Sequence, residues 1–260
     1  MTDISTIELN SGHICAESVN GGATWLLTLD RGAVKNALNL AMYADLAALL
    51  SGFSADDSAR VVIITGAGGC FTSGNDLADF AAMGIECVVS EQSSLWRFMV
   101  ALRDCPKPVI MAVDGLAIGI GTTMLLHADA VFSSKLASFS MPFAKLGLCP
   151  EYASSLLLPQ RAGYLKAAEW LMLGSAFTAQ EAQIGGLVNA VVDDALAAAV
   201  DHALRLQAMP PNALVTTKAL LKSAGKSSVE QCMLAEAEYF KAALNGKEFS
   251  DAVAAFFNKG

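Results

Sequence analysis

Two glycine-rich loops hold the residue types whose order suggests chemistry. The first, Thr65-Gly66-Ala67-Gly68-Gly69-Cys70-Phe71-Thr72-Ser73-Gly74-Asn75-Asp76-Leu77, follows the apolar run Val61 to Thr65. The second, Ala117-Ile118-Gly119-Ile120-Gly121-Thr122-Thr123, follows the apolar run Pro108 to Val113. Glycine lets the main chain approach a ligand closely, and the first amides of a helix have no intrahelical acceptor. Asp76 is a residue type that caps a helix start. One such loop alone reads more readily as an ordinary α/β turn. Two of them can aim two backbone N–H groups at one oxygen, which is an oxyanion hole for charge developing on a carbonyl.

Other chemistries lack their residues. The stretch Gly66-x-Gly68-x-x-Phe71 misses the third glycine of a dinucleotide fingerprint, and no Gly-Lys-Ser/Thr follows as a phosphate loop requires. There is no Gly-x-Ser-x-Gly elbow for a serine nucleophile. His13, His127 and His202 lie far apart and lack metal-ligand spacing, so no metal is expected.

The elements that must position these loops follow from periodicity. The segments ISTIEL, HICAESV and TWLLTLD alternate and are separated by Ser11-Gly12 and Asn20-Gly21-Gly22, which predicts a three-strand meander. Asn39 caps a helix whose apolar face is Met42, Leu46, Leu49 and Leu50, with Gly52 at its end. Next come a strand at 61–65, a long helical region over 76–102 and a strand at 108–113. The unit then repeats: a loop at 115–121, a short helix at 122–128, and strands at 130–133 and 138–141. A helix running to Gln160 starts at Glu151. From Asp193 onward no strand is expected; Pro210-Pro211 restarts the chain into further helices, and the run 229–258 places Met233, Phe240, Phe249, Val253 and Phe256 at helical intervals. We therefore divide the chain into a core over 1–192 and a helical region over 193–260, which covers this core or a neighbour's.

Composition bounds the partners. The chain has 260 residues, 54% of them hydrophobic and 16% charged, which suits one elaborated globular unit. A net charge of −8 without Lys/Arg runs argues against nucleic acid and against an anionic membrane surface. The most apolar stretch, 108–127, contains Asp114 and three glycines and reads as strand, turn and helix rather than a membrane span. No secretory or transit pattern opens the chain, so the expected location is cytoplasmic. Six cysteines without paired spacing are expected to be reduced thiols.

The motifs taken in series resemble the crotonase family, the enoyl-CoA hydratase and isomerase superfamily. They are Asp30 to Asn39, Cys70 to Leu77, Lys107 to Gly115, the Gly119 loop, Ala128-Asp129-Ala130, Phe139 to Phe143 and Leu146-Gly147-Leu148. This resemblance implies an α/β fold, a spiral of ββα units with C-terminal helices that support a homotrimer or a dimer of trimers. It implies an acyl-coenzyme A substrate whose thioester oxygen meets the amides of Asn75 and Ile120. It also implies that Ala33, Val34, Lys35 and Ala37 line the coenzyme's path with Ser73, Asp76 and Leu77 nearby, and that no cofactor is needed beyond the substrate's own coenzyme A.

Departures from the family pattern narrow the reaction. Family hydratases use two glutamates, at positions that here are Thr123 and Phe143. One carboxylate remains, Glu151, at the place where the branch that shifts a double bond from C3 to C2 carries a glutamate. The expected activity is that of a Δ3,Δ2-enoyl-CoA isomerase with Glu151 as acid and base. Another reaction on the same fold (a hydrolase, a ring-modifying isomerase or a lyase) and a non-catalytic acyl-CoA-binding subunit remain alternatives.

Overall fold

The structure, a computed structural model, describes residues 4–78, 90 and 92–257. Its main sheet runs in the order β1-β2-β3-β4-β6-β9, with β1 (Ile14–Val19) antiparallel to β2 (Thr24–Leu29). The other pairs in this sheet are parallel: β2 with β3 (Val61–Gly66), β3 with β4 (Val109–Val113), β4 with β6 (Ala130–Ser134), and β6 with β9 (Ala190–Val192). A second sheet holds β5 (Leu116–Ile118), β7 (Ser138–Ser140) and β8 (Phe177–Thr178). Isolated bridges Thr72↔Ala117 and Leu38↔Asn75 extend that second layer.

This pairing makes the spiral. Each turn places one strand in the main sheet, one short extended stretch in the second layer, and then a helix. Thus β2 leads to Leu38 and α1 (Leu40–Ala55), while β4 leads to β5 and α3 (Ile120–Thr123). The helix between them, α2 (Ser94–Asp104), closes the turn that begins with β3.

The runs 61–65 and 109–113 are apolar without alternation because both faces of their strands are covered. Val61, Ile63, Ile110 and Ala112 pack on one side with Ala195, Ala199 and Ala203 of α7 (Ala195–Gln207). Val62, Ile64, Val109, Met111 and Val113 face the larger core that includes Met42, Leu46 and Leu50 of α1 and Phe98 and Leu102 of α2. After Val192 only helices follow among the described residues: α7, α8 (Pro211–Ser223), α9 (Lys226–Leu244) and α10 (Lys247–Phe257). No described helix is long and apolar enough to cross a membrane.

Several local expectations need correction. The segment ISTIEL is not a strand: Ile4–Thr6 is a 3-10 turn, and the chain that follows is held to α1 by Asp45, whose carboxylate accepts from Asn10 N and Ser11 N at 2.9 Å each. Ile4, Ile7 and Leu9 are thereby packed against the core instead of extending a sheet edge. The first helix passes through Gly52 to Ala55, because Leu50 and Phe53 still find the core there. The loop at 115–121 contains β5, and its helix begins at Ile120 rather than Thr122. The expected helical run from 229 is helical as far as it is described, in two helices, Lys226–Leu244 and Lys247–Phe257; residue 258 and the side chain of Phe256 lie outside the described residues. The expected helix over 76–102 is described only in part, because 79–89 and 91 lie outside the described residues. Cys15, Cys70, Cys105, Cys149 and Cys232 are free thiols, and Cys87 lies outside the described residues.

Candidate functional site

The two glycine loops lie side by side because their strands do. Thr72 N donates to the Leu116 carbonyl at 2.9 Å and Ile118 N to the Thr72 carbonyl at 3.1 Å, a parallel bridge in the second layer. Three residues beyond each bridge partner stand Asn75 and Ile120. Gly74 has φ 94°, and a β-carbon there would lie 2.7 Å from the Ile118 carbonyl oxygen, so glycine is what permits this approach. Among the described residues, neither Asn75 N nor Ile120 N donates to a protein acceptor. Ile120 is the first residue of α3, preceded by Gly119 as N-cap, so its amide has no partner inside the helix. Two unengaged amides on paired loops are the kind of donors that can bind an oxygen gaining negative charge.

The first loop is held to the segment 31–37. Ser73 N donates to the Lys35 carbonyl at 2.9 Å, Ser73 Oγ to the Val34 carbonyl at 3.1 Å, and Arg31 pairs with Asp76 at 2.6 Å while also donating to the Ala37 carbonyl. Lys35 and Asn36 both adopt the left-handed conformation. The fully buried Asn36 fixes that turn: its Oδ1 accepts from Arg31 N, and its Nδ2 donates to the Ala67 and Cys70 carbonyls. The structure thus brings Val34, Lys35 and Ala37 together with Ser73 and Asp76; Ala33 and Leu77 sit in the same two segments. Ala33, Val34 and Lys35 face solvent, whereas Ala37 is buried. Lys35 has no carboxylate partner among the described residues.

Glu151 precedes α4 (Ser154–Ala162) instead of starting it, in a turn where Tyr152 and Ala153 both have left-handed φ. Its side chain is 8% exposed, and Oε1 accepts a hydrogen bond from Thr123 Oγ1 at 2.5 Å. Burial, reinforced by the nearby charge of Glu236 and opposed by the Thr123 hydroxyl, pushes its carboxyl up to about 8. Glu151 and Asn75 line one cavity of about 30 Å³ with Trp96 and Met99 of α2 and Glu236 and Phe240 of α9. The residues at the two expected hydratase positions are thus a hydroxyl bonded to Glu151 and, at Phe143, a buried apolar ring.

Sequence reasoning missed four supports. Tyr43 of α1 donates its hydroxyl proton to Asn75 Oδ1, and burial raises its own phenol well above the ordinary value. Asn36 stood inside a quoted motif without a role. His127 bonds the Tyr152 carbonyl through Nε2 at 2.8 Å and stacks on the Tyr152 ring, and burial pushes it down to about 3, so the imidazole is neutral. Glu236 lies 83 residues beyond Ala153, whose amide it accepts. None of these has a local sequence signal, except that Asn36 is a residue type suited to positive φ.

Residues 20–260 match the family described as Enoyl-CoA hydratase/isomerase. Enoyl-CoA delta isomerase 2 of Rattus norvegicus is 35% identical over 244 residues, covering 92% of this chain but 62% of that protein, so the chain spans less than two thirds of that relative. The 1,2-epoxyphenylacetyl-CoA isomerase of Escherichia coli K12 is 34% identical over 239 residues, covering 90% of this chain and 91% of that one. Among solved structures, Pseudomonas aeruginosa OdaA is 43% identical with a TM-score of 0.89, covering 95% of this chain and 99% of that chain. By its spiral of ββα units and by these matches, the chain belongs to the enoyl-CoA hydratase/isomerase family, the crotonase superfamily.

Proposed function

We propose that this protein is a Δ3,Δ2-enoyl-CoA isomerase. The observation that carries the reading is the buried carboxylate of Glu151, bonded to Thr123 in the cavity that also holds Asn75, with Thr123 and Phe143 where water activation would need acids. The thioester carbonyl of a 3-enoyl-CoA accepts from the Asn75 and Ile120 amides. Glu151 takes a proton from C2; the electron pair enters the carbonyl π system, and negative charge builds on the thioester oxygen. The double bond then settles between C2 and C3 as the same proton is delivered to C4, and the carboxylate is regenerated. Substrate and product are isomers, so the step balances without a cofactor. Ala33, Val34, Lys35, Ala37, Ser73, Asp76 and Leu77 border the coenzyme, with Lys35 offering its charge to a phosphate.

Product analysis tests this. With 3-hexenoyl-CoA the purified protein yields the conjugated 2-enoyl thioester, and with 2-hexenoyl-CoA it adds water only very slowly. Robust hydration would sink the reading, and thioester cleavage would favour a hydrolase. The near full-length match to the Escherichia coli 1,2-epoxyphenylacetyl-CoA isomerase supports a second reading, a ring-modifying isomerase on the same two amides. An epoxide-bearing aryl-acyl-CoA as sole turned-over substrate would favour it.

The pH dependence follows from Glu151. The base must be ionised, and its carboxyl titrates near 8 in the free protein. Hence kcat/KM rises about tenfold per pH unit below that value and levels off above it. A profile already flat between pH 5 and 7 would exclude a buried carboxylate as the base.

Assembly into a homotrimer, or a dimer of such trimers, is the second part of the proposal. It is supported by the exposed apolar side chains Tyr164, Leu165, Met172 and Leu173 of α5 (Tyr164–Leu173) and by Ile184, which ends α6 (Ala179–Ile184). Large apolar side chains left this exposed favour burial between subunits. Light scattering is expected to give a trimeric or hexameric mass at micromolar concentration; a stable monomer would rule it out.

A further inference from the structure

The cavity has a second carboxylate that the proposed reaction leaves unused. Glu236 of α9 is 7% exposed and lines the same space as Glu151. A buried carboxylate needs donors, and Glu236 finds them on another element. Its Oε2 accepts from Ala153 N at 2.5 Å, and its Oε1 from Ser155 N at 2.9 Å and Ser155 Oγ at 2.5 Å. These groups are at the start of α4, whose N-cap Ala153 has no side chain able to cap it. Glu236 does that capping from a helix remote in sequence.

The capped turn is strained. Tyr152 has φ 59° and Ala153 φ 55°, two consecutive side-chain-bearing residues in a region that favours glycine. Such conformations cost about 1–3 kcal/mol each and persist where the surroundings over-determine them. His127 holds the Tyr152 carbonyl and ring from one side, and the Tyr152 hydroxyl donates to the Met99 carbonyl at 2.7 Å. Glu236 holds the other side. Glu151 is the residue immediately before this turn, so the path of the turn sets where its carboxylate meets Thr123.

We propose that Glu236 is a positioning residue for the reaction: from α9 it clamps the left-handed turn that aims Glu151, so the helix lining the acyl cavity also sets the base. The inference rests on the isomerase reading for its consequence in turnover, though the clamp does not. Charge belongs to the same arrangement. Around Glu151 stand Tyr43 of α1, Thr123 of α3, Cys149 and Tyr152 of its own segment, and Glu236; Arg103 of α2 reaches Met233 and acts on Tyr152. Around Glu236 are Ser155, Cys232, Cys149 and Glu151. Glu236 is the acidic neighbour among the causes that hold the Glu151 proton more tightly, after burial.

Glu236→Gln and Glu236→Asp separate geometry from charge. In the 260-residue chain, the Glu236→Gln side chain presents an amide NH2 to one of the N–H donors and removes the charge. Turnover on 3-hexenoyl-CoA at pH 9 should fall about 10- to 100-fold with little change in KM. The Glu151 carboxyl, followed by 13C NMR without substrate, should titrate roughly half a unit or more lower. Glu236→Asp keeps the charge but shortens the reach, so turnover should fall while the titration stays near its wild-type midpoint. Ser155→Ala, at an exposed position, removes one donor and should lower turnover less; it and the Asp variant carry the test if Glu236→Gln does not fold. Lower melting temperature with unchanged kcat and unchanged Glu151 titration would mean a merely structural residue and overturn the inference. If wild-type protein does not isomerise but the titration shift appears, the isomerase reading fails and the clamp stands.

Discussion

Glu151→Gln lowers turnover on 3-hexenoyl-CoA by about 100- to 10,000-fold, the range over which a positioned general base contributes, while affinity for an unreactive acyl-CoA stays nearly intact. The α-proton of a thioester is weakly acidic. A carboxylate removes it only if the enolate oxygen is stabilised as it forms, so base and amides act together. Gln keeps the size of the side chain and still accepts from the Thr123 hydroxyl, but it has no basic oxygen. The loss therefore falls on kcat rather than on binding. The same substitution has a stability signature. A carboxyl whose folded value is raised to about 8 adds stability that is fully present below its unfolded value and is lost as pH rises through 8. Wild-type protein thus loses on the order of 3–5 kcal/mol that the Gln variant does not lose. Melting temperatures at pH 5 and pH 9 check this: the variant should gain on wild type at the higher pH. A variant that keeps most of the wild-type turnover removes Glu151 from the mechanism.

Gly74→Ala disables the opposite half of the site. The new methyl group would stand 2.7 Å from the Ile118 carbonyl oxygen and 3.4 Å from its carbon, and both are backbone atoms of the paired loop. No rotamer change relieves such a contact, and φ 94° is itself unfavourable for alanine. Relief must come from separating the Asn75 loop from the Ile120 loop. Two amides that jointly bind an oxygen are then no longer aimed at one point, and turnover is expected to fall about 100- to 1,000-fold. Stability should fall by about 1–3 kcal/mol. Gly225→Ala serves as the control, because nothing lies within 4 Å of a β-carbon there and the position does not line the cavity. A folded Gly74→Ala protein, verified by near-UV circular dichroism, with wild-type kcat would show that the juxtaposed amides do not carry the reaction.

What the sequence by itself determined was mostly what local pattern encodes. Apolar runs without alternation at 61–65 and 109–113 announced strands covered on both faces, and Asn39 announced a helix start that it does cap, by accepting from Met42 N. The repeated order of strand, glycine loop and helix was legible because positive φ and close backbone approach need glycine, as at Gly74 and Gly119. The position of Glu151 was legible only through the resemblance to a family, and its helix was placed three residues early because the left-handed turn at Tyr152 and Ala153 has no glycine to announce it. The opening strand was misread for a related reason. The alternation of ISTIEL suits a sheet, but the capture of Asn10 and Ser11 by Asp45 depends on a side chain 35 and 34 residues away.

Only the tertiary structure decided how the parts combine. Register across the Thr72↔Ala117 bridge brings two loops into one place, and no local rule states which loops will pair. The properties of Glu151 come from burial, from the Thr123 hydroxyl and from Glu236, which reach it from different elements. A carboxylate has an ordinary affinity for its proton until water is removed and other charges are brought near, and both depend on contacts between residues far apart along the chain.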